Sequence, residues 1–217
     1  MVEESRLDIQ RCAFEGRAMR VRDSVREAGS GTLESKQGPK MIEIRLQGRG
    51  GQGVVVASEI LARACFEEGR YPQCYSLFGG ERRGAPVAAF VRISDSKIYL
   101  KCDIDHPNHL VLFDKTLFDE KEILERVVPG GFLLFNMDEY QSDALKNYTV
   151  GTIDALEISK RNALGAMVNT AILGAYIRLT RIVSLDRLLK VITETVPGAI
   201  DQNVAAATEA YERVSII

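Results

Sequence analysis

The stretch QGRGGQG, residues 47–53, sets four glycines among seven residues, between the apolar run 41–46 and a helix-like run at 54–68. So bare a backbone has three readings. Gly48, Gly50 and Gly53 spell G-x-G-x-x-G between a strand and a helix, so exposed amides and the helix N-terminus face an anion. The dipole contributes only about 0.3–1 kcal/mol at an exposed site, so several amides must act together, with Arg45 or Arg49 adding charge. In the second reading the loop docks a phosphate-bearing ligand other than a dinucleotide, or the backbone of a partner protein that needs close approach. The third reading is structural: glycine makes a tight strand-to-helix turn and nothing more.

A dinucleotide site of the first kind carries an acid about 20 positions on, at the end of the second strand, to grip the ribose. Here that strand reads PQCYSLFGG, residues 72–80, and holds no acid. Glu81 comes too late and stands beside Arg82 and Arg83, so ordinary NAD or FAD binding is disfavoured.

Beyond Met41 the elements alternate in type, which predicts an α/β fold: a Rossmann-like, mostly parallel sheet with helices on both faces and a helical carboxyl-terminal third. Strands are expected at 42–46, 73–78, 87–93, 110–113, 131–135 and 148–153. Helices are expected at 54–68, 120–126, 166–180, 185–196 and 203–214, with Gly69 as a stop and Ser184 as an N-cap. LVLF (110–113) and FLLF (132–135) carry no polar residue on either face, as strands buried on both sides do. Val168, Ile172, Ala175, Tyr176 and Leu179 recur at helical spacing and read as core.

Residues 1–40 differ. Charges are scattered, and SGTLESKQGPK at 30–40 reads as a flexible linker, so the working α/β domain is expected at 41–217. The chain's opening lacks the order of a secretory signal, no apolar run is long enough to span a bilayer, and a cytoplasmic location is expected. A net charge of −2 offers no global field for nucleic acid. Cys12, Cys65, Cys74 and Cys102 form no C-x-x-C pair, and Cys65 and Cys74 lie in apolar runs, which predicts buried free thiols and no iron-sulfur site. His106 and His109 in DIDHPNHL resemble a metal pair, but Pro107 between them argues for a loop. DALEISKR, 154–161, shows ordinary helix-surface charge pairing. No catalytic residue is assigned.

A second glycine-flanked stretch, FGGERRGAPV at 78–87, places Glu81, Arg82 and Arg83 at the end of the second strand. If strand ends line a common crevice, this loop and the first face the same space. Alone, ERR reads either as an anion clamp or as a solvated turn. Together, residues 44–93 closely resemble the gamma subunit of the 2-oxoacid:ferredoxin oxidoreductases, in which a strand opens into GRGGQG and an ERRGAPV-type loop precedes a later strand. The FGGERRGAPV form is similar to the pyruvate and 2-ketoisovalerate members. MVNTAILGAY (167–176) and QNVAAATEAYE (202–212) agree more loosely with the family's last helices.

That resemblance implies a subunit of a pyruvate synthase type enzyme, which oxidatively decarboxylates a 2-oxoacid, passes the acyl group to coenzyme A and reduces ferredoxin. It implies alpha, beta and delta partner subunits, with thiamine diphosphate, magnesium and 4Fe-4S clusters held outside this chain. Two roles stay open for the chain: holding the complex together and contributing to coenzyme A binding. By the same analogy Gly48, Arg49, Gly50, Gly51, Gln52 and Gly53 face the shared crevice, with Glu81, Arg82 and Arg83 across from them. The competing reading is a stand-alone nucleotide-binding oxidoreductase that uses the glycine loop directly.

Overall fold

The computed structural model describes residues 41–78, 84–140 and 142–217. Residues 1–40, with Cys12, and Glu81, Arg82 and Arg83 lie outside the described residues. The elements run β1 (Ile42–Arg49), α1 (Val54–Glu67), β2 (Tyr71–Phe78), β3 (Pro86–Ser94), β4 (His109–Leu112), α2 (Glu120–Arg126), β5 (Phe132–Asn136), β6 (Thr149–Ile153), α3 (Ala155–Arg161), α4 (Asn169–Thr180), α5 (Leu185–Thr195), α6 (Ile200–Arg213) and β7 (Ser215–Ile216).

The strands form one sheet in the order β2-β3-β1-β4-β5-β6-β7. Its centre, β1-β4-β5-β6, is parallel, while β3 lies antiparallel between β1 and β2, and β7 runs antiparallel to β6. Strict alternation of strand and helix therefore fails at β2 and β3. The connection 79–85 is far shorter than the dozen or more residues that a parallel crossover needs, so the chain turns straight back.

The sheet has a core on each face. On one side Ile44, Leu46, Val91, Val111 and Leu134 pack under α1, α3, α4, α5 and α6. On the other, Leu110, Leu112, Leu133 and Phe135 pack against Ile123 of α2 and against Leu145 and Tyr148. All four residues of β4 are buried, the apolar Leu110–Leu112 as LVLF leads one to expect and His109 with them. Gly174 of α4 lets α6 approach: a Cβ there would drive into the Ala207 carbonyl oxygen.

Three expectations are corrected. Helix α4 begins at Asn169 rather than 166, because Ala163 and Gly165 take left-handed backbone and hold the approach in turns. Helix α6 begins at Ile200, a turn-length before the apolar pattern starts, behind a left-handed Ala199. Cys74 and Cys102 are both exposed, Cys74 because β2 is an outermost strand, whereas Cys65 inside α1 is buried. The stretch DALEISKR becomes α3, whose N-cap Asp154 accepts from the Glu157 amide at 2.8 Å.

Candidate functional site

The chain leaves β1 for the face covered by α1, and leaves β4 for the face covered by α2. Neighbouring parallel strands whose connections diverge in this way open a crevice at their carboxyl ends, the usual place for a site in an open α/β sheet. Residues 48–53 stand on one lip of that crevice and Asp114–Thr116 on the other.

The loop is built by close approach. A Cβ on Gly48 would lie 2.7 Å from Phe113 Cβ and 2.7 Å from Val54 Cγ2, so no larger residue fits. Gly53 has φ of 80° and ends the loop as the uncapped start of α1. A Cβ there would meet the Asn169 side chain at 2.8 Å. Gly51, with φ of 99°, points its open side into empty space.

Arg49 and Gln52 do not reach outward. The Gln52 carboxamide accepts from the Arg49 amide at 2.8 Å and donates to Asp114 Oδ2 at 2.9 Å. The Arg49 guanidinium donates to Thr116 Oγ1 at 3.0 and 2.8 Å and to the Gly84 carbonyl at 3.0 Å, with Asp114 Oδ2 3.6 Å from its Nε. Asp114 Oδ1 in turn receives the Thr116 amide at 2.9 Å and hydroxyl at 2.6 Å. Burial works against the charge on Asp114, but the bonds from Thr116 and Gln52 and the nearby Arg49 outweigh it, so the carboxyl titrates below its ordinary range. Arg45, the other charge expected near the loop, instead pairs with Glu122 of α2 at 3.2 Å.

The two glycine-flanked loops meet at one edge of the sheet. The Gly50 amide donates to the Ala85 carbonyl at 2.9 Å and the Gly84 amide to the Gly50 carbonyl at 3.1 Å. Register continues the contact, with Arg49 opposite Pro86.

Beside the loop, a cleft of about 230 Å³ is lined by Gln52, Asp114, Lys115, Asn136, Asp138 and Asp154, among others. Three acids against one lysine make its wall unfavourable for phosphate. Helix α1, by contrast, starts with no capping side chain and no acid in its first turn. The groups here left open to an anion are therefore the backbone amides of the α1 N-terminus rather than Arg49 or the cleft wall. Among the described residues, no group of three or more His, Cys, Asp or Glu side chains is placed to hold a metal.

The sequence reading missed Asp114, Thr116 and Asn169. Asp114 stands far along the chain from the loop, and only the pairing of β4 with β1 brings it alongside. It occupies the place of the acid that was sought at the end of the second strand, because β4, not β2, is the parallel neighbour of β1. Its oxygens are already committed to the protein's own donors, which weighs against a ribose. His106 and His109 part company. His106 Nδ1 lies 3.0 Å from the Arg126 carbonyl, while His109 opens β4 and is buried, its Nδ1 2.7 Å from the Tyr176 hydroxyl.

The family profile described as pyruvate ferredoxin/flavodoxin oxidoreductase matches residues 43–213. The chain is 45% identical over 176 residues to pyruvate synthase subunit PorC of Methanothermobacter marburgensis, covering 80% of this chain and 98% of that one. It is 39% identical over 182 residues to the pyruvate/ketoisovalerate oxidoreductases common subunit gamma of Thermococcus kodakarensis, covering 81% of this chain and 98% of that one. The crystal structure of pyruvate oxidoreductase subunit PORC from Thermotoga maritima aligns with a TM-score of 0.71 at 33% identity, covering 82% of this chain and 98% of that chain. The chain belongs to the pyruvate ferredoxin/flavodoxin oxidoreductase family.

Proposed function

We infer, from that membership, that the chain is the gamma subunit of a 2-oxoacid:ferredoxin oxidoreductase of the pyruvate synthase type, working with sister subunits that carry the thiamine and iron-sulfur chemistry. The observation that carries its own part in this is the hydrogen-bonded junction of the two glycine-flanked loops at Gly50, Gly84 and Ala85. Such a junction presents a bare, fixed crest to a neighbour, and the neighbour's surface closes over it. Coenzyme A, whose thiol takes up the acyl group, fits this crest through the uncapped amides of α1, with Arg82 and Arg83 as added cations. The stand-alone dinucleotide reading is not favoured, because Asp114 is saturated by Gln52, Arg49 and Thr116.

The test is reconstitution of the complex with Arg82→Ala/Arg83→Ala and, separately, Gly51→Asp. Loss of assembly, or a rise in the KM for coenzyme A with kcat retained, supports the reading and tells the two roles apart. Normal assembly with an unchanged KM in both variants removes them. Stoichiometric NAD binding by the purified chain alone would restore the competing reading.

A further inference from the structure

At the opposite edge of the sheet, where β1, β4 and β5 begin, the chain forms a second, open-sided cavity of about 560 Å³. That volume lies in the range of small-molecule sites, roughly 300–1,000 Å³. Arg70 at the exit of α1 and Arg181 at the exit of α4 flank it, Phe132 and buried His109 form part of its floor, and Gly130 and Gly131 leave one wall bare. Among the described residues no acid lines it. The cleft beside the glycine loop has the reverse character, with Asp114, Asp138 and Asp154 in its wall. Arg70 and Arg181 thus stand at the other end of the strands from the glycine loop.

The arginines carry further information. The Arg70 Nε is buried without a well-directed hydrogen bond, although exposed Asp95 lies 3.1 Å away as its ion-pair partner. Arg181 caps α4 with φ of 53° and ψ of 30°, a left-handed conformation in which glycine is the ordinary residue. A cation gains something from the carbonyl end of a helix, but less than an L-residue loses in that backbone region. Ala163 and Ala199 take the same region, so the backbone alone does not single out position 181; what distinguishes it is the guanidinium it brings to the pocket.

We propose that this cavity is a binding site for a small organic anion, a carboxylate or phosphate compound, held by Arg181 and Arg70 and separate from the glycine-loop crest. It stands independently of the gamma-subunit reading, since it rests on none of the crest residues. The floor is rigid enough to serve: the Asn108 side chain accepts from the Glu43 amide at 2.8 Å, and Phe132 stacks edge-on to His109 with ring centroids 4.9 Å apart.

The experiment titrates the full chain with inorganic phosphate and with citrate, at ionic strength held constant with chloride, and follows backbone amide resonances. Saturable shifts centred on Gly130, Gly131 and Thr180 are expected with either probe. The informative variant is Arg181→Gly, which relieves the left-handed strain and so folds at least as stably, while weakening probe affinity about tenfold or more, the worth of one charged hydrogen-bonded contact. Arg70→Gln should weaken it in the same direction. Unchanged affinity in Arg181→Gly, shifts confined to Gly50 and Gly51, or shifts that merely track total salt would each overturn the proposal.

Discussion

Gln52 and Asp114 join across the crevice between β1 and β4, the Gln52 side-chain amide donating to the Asp114 carboxylate at 2.9 Å. Through this bond the glycine loop is held by a residue from the far lip, and Arg49 and Thr116 close the same ring.

Replacing Asp114 therefore loosens the loop as a unit. Asp114→Ala is expected to lower stability by about 1–3 kcal/mol, because Gln52 and Arg49 lose a charged acceptor in a half-buried place. The dependence on pH has a definite sign. A carboxyl whose folded pKa lies below its ordinary 3.8 stabilises the fold above that value, and the contribution is lost as pH falls through the lower folded value. Chemical denaturation of the wild type and Asp114→Asn should give a clear stability difference at pH 7 that shrinks below the ordinary carboxyl range. A gap of constant size would show that the charge is irrelevant.

Alanine at three glycines should separate backbone strain from crowding. Gly51→Ala meets empty space and costs about 1–2 kcal/mol for its left-handed backbone alone. Gly53→Ala adds a collision with Asn169 and should cost about 2–4 kcal/mol. Gly174→Ala would gain about 1 kcal/mol of helix propensity were the position free. Contact with the Ala207 carbonyl makes it destabilising instead. Thermal melts ranking Gly174→Ala above wild type would contradict the α4–α6 packing.

The thiols should divide by burial. Enclosure in α1 pushes Cys65 up to about 12, so alkylation of the native chain at pH 8 should leave it untouched, while Cys74 and Cys102 react. Peptide mapping after timed labelling reads this out. Early modification of Cys65 would mean that α1 opens locally.

Tyr176→Phe removes the hydroxyl beside His109 Nδ1 in a fully enclosed place. A loss of about 1–3 kcal/mol is expected, with no change in assembly of the complex, because the pair lies below the sheet's other edge. Failure to assemble at full thermal stability would give this pair a role that its position does not suggest.

How much was legible follows from the range of each interaction. The glycine turn into α1, the buried strands β4 and β5 and the stripe on α4 are written in local spacing and emerged close to the expected places, although β1 runs on to Arg49 instead of ending at 46, so Gly48 and Arg49 belong to the strand. The antiparallel return of β3 was not, because FGGERRGAPV reads as a strand end with or without a crossover, and only its shortness decides. Asp114 and Asn169 were invisible for a different reason: each is an unremarkable residue in its own neighbourhood and acquires meaning only when β4 and α4 are laid beside the loop. The burial expected of Cys74 failed because an apolar run does not say which strand will lie outermost.

The ring from Arg49 through Gln52 to Asp114 and Thr116 has one more consequence. A glycine-rich segment free in solution must surrender much conformational entropy before it can be gripped, and that loss weakens association. Here the surrender has already occurred during folding. Whatever settles on the Gly51 surface meets a preorganised template, so its affinity should reflect surface match and solvent release, with little penalty for ordering the loop.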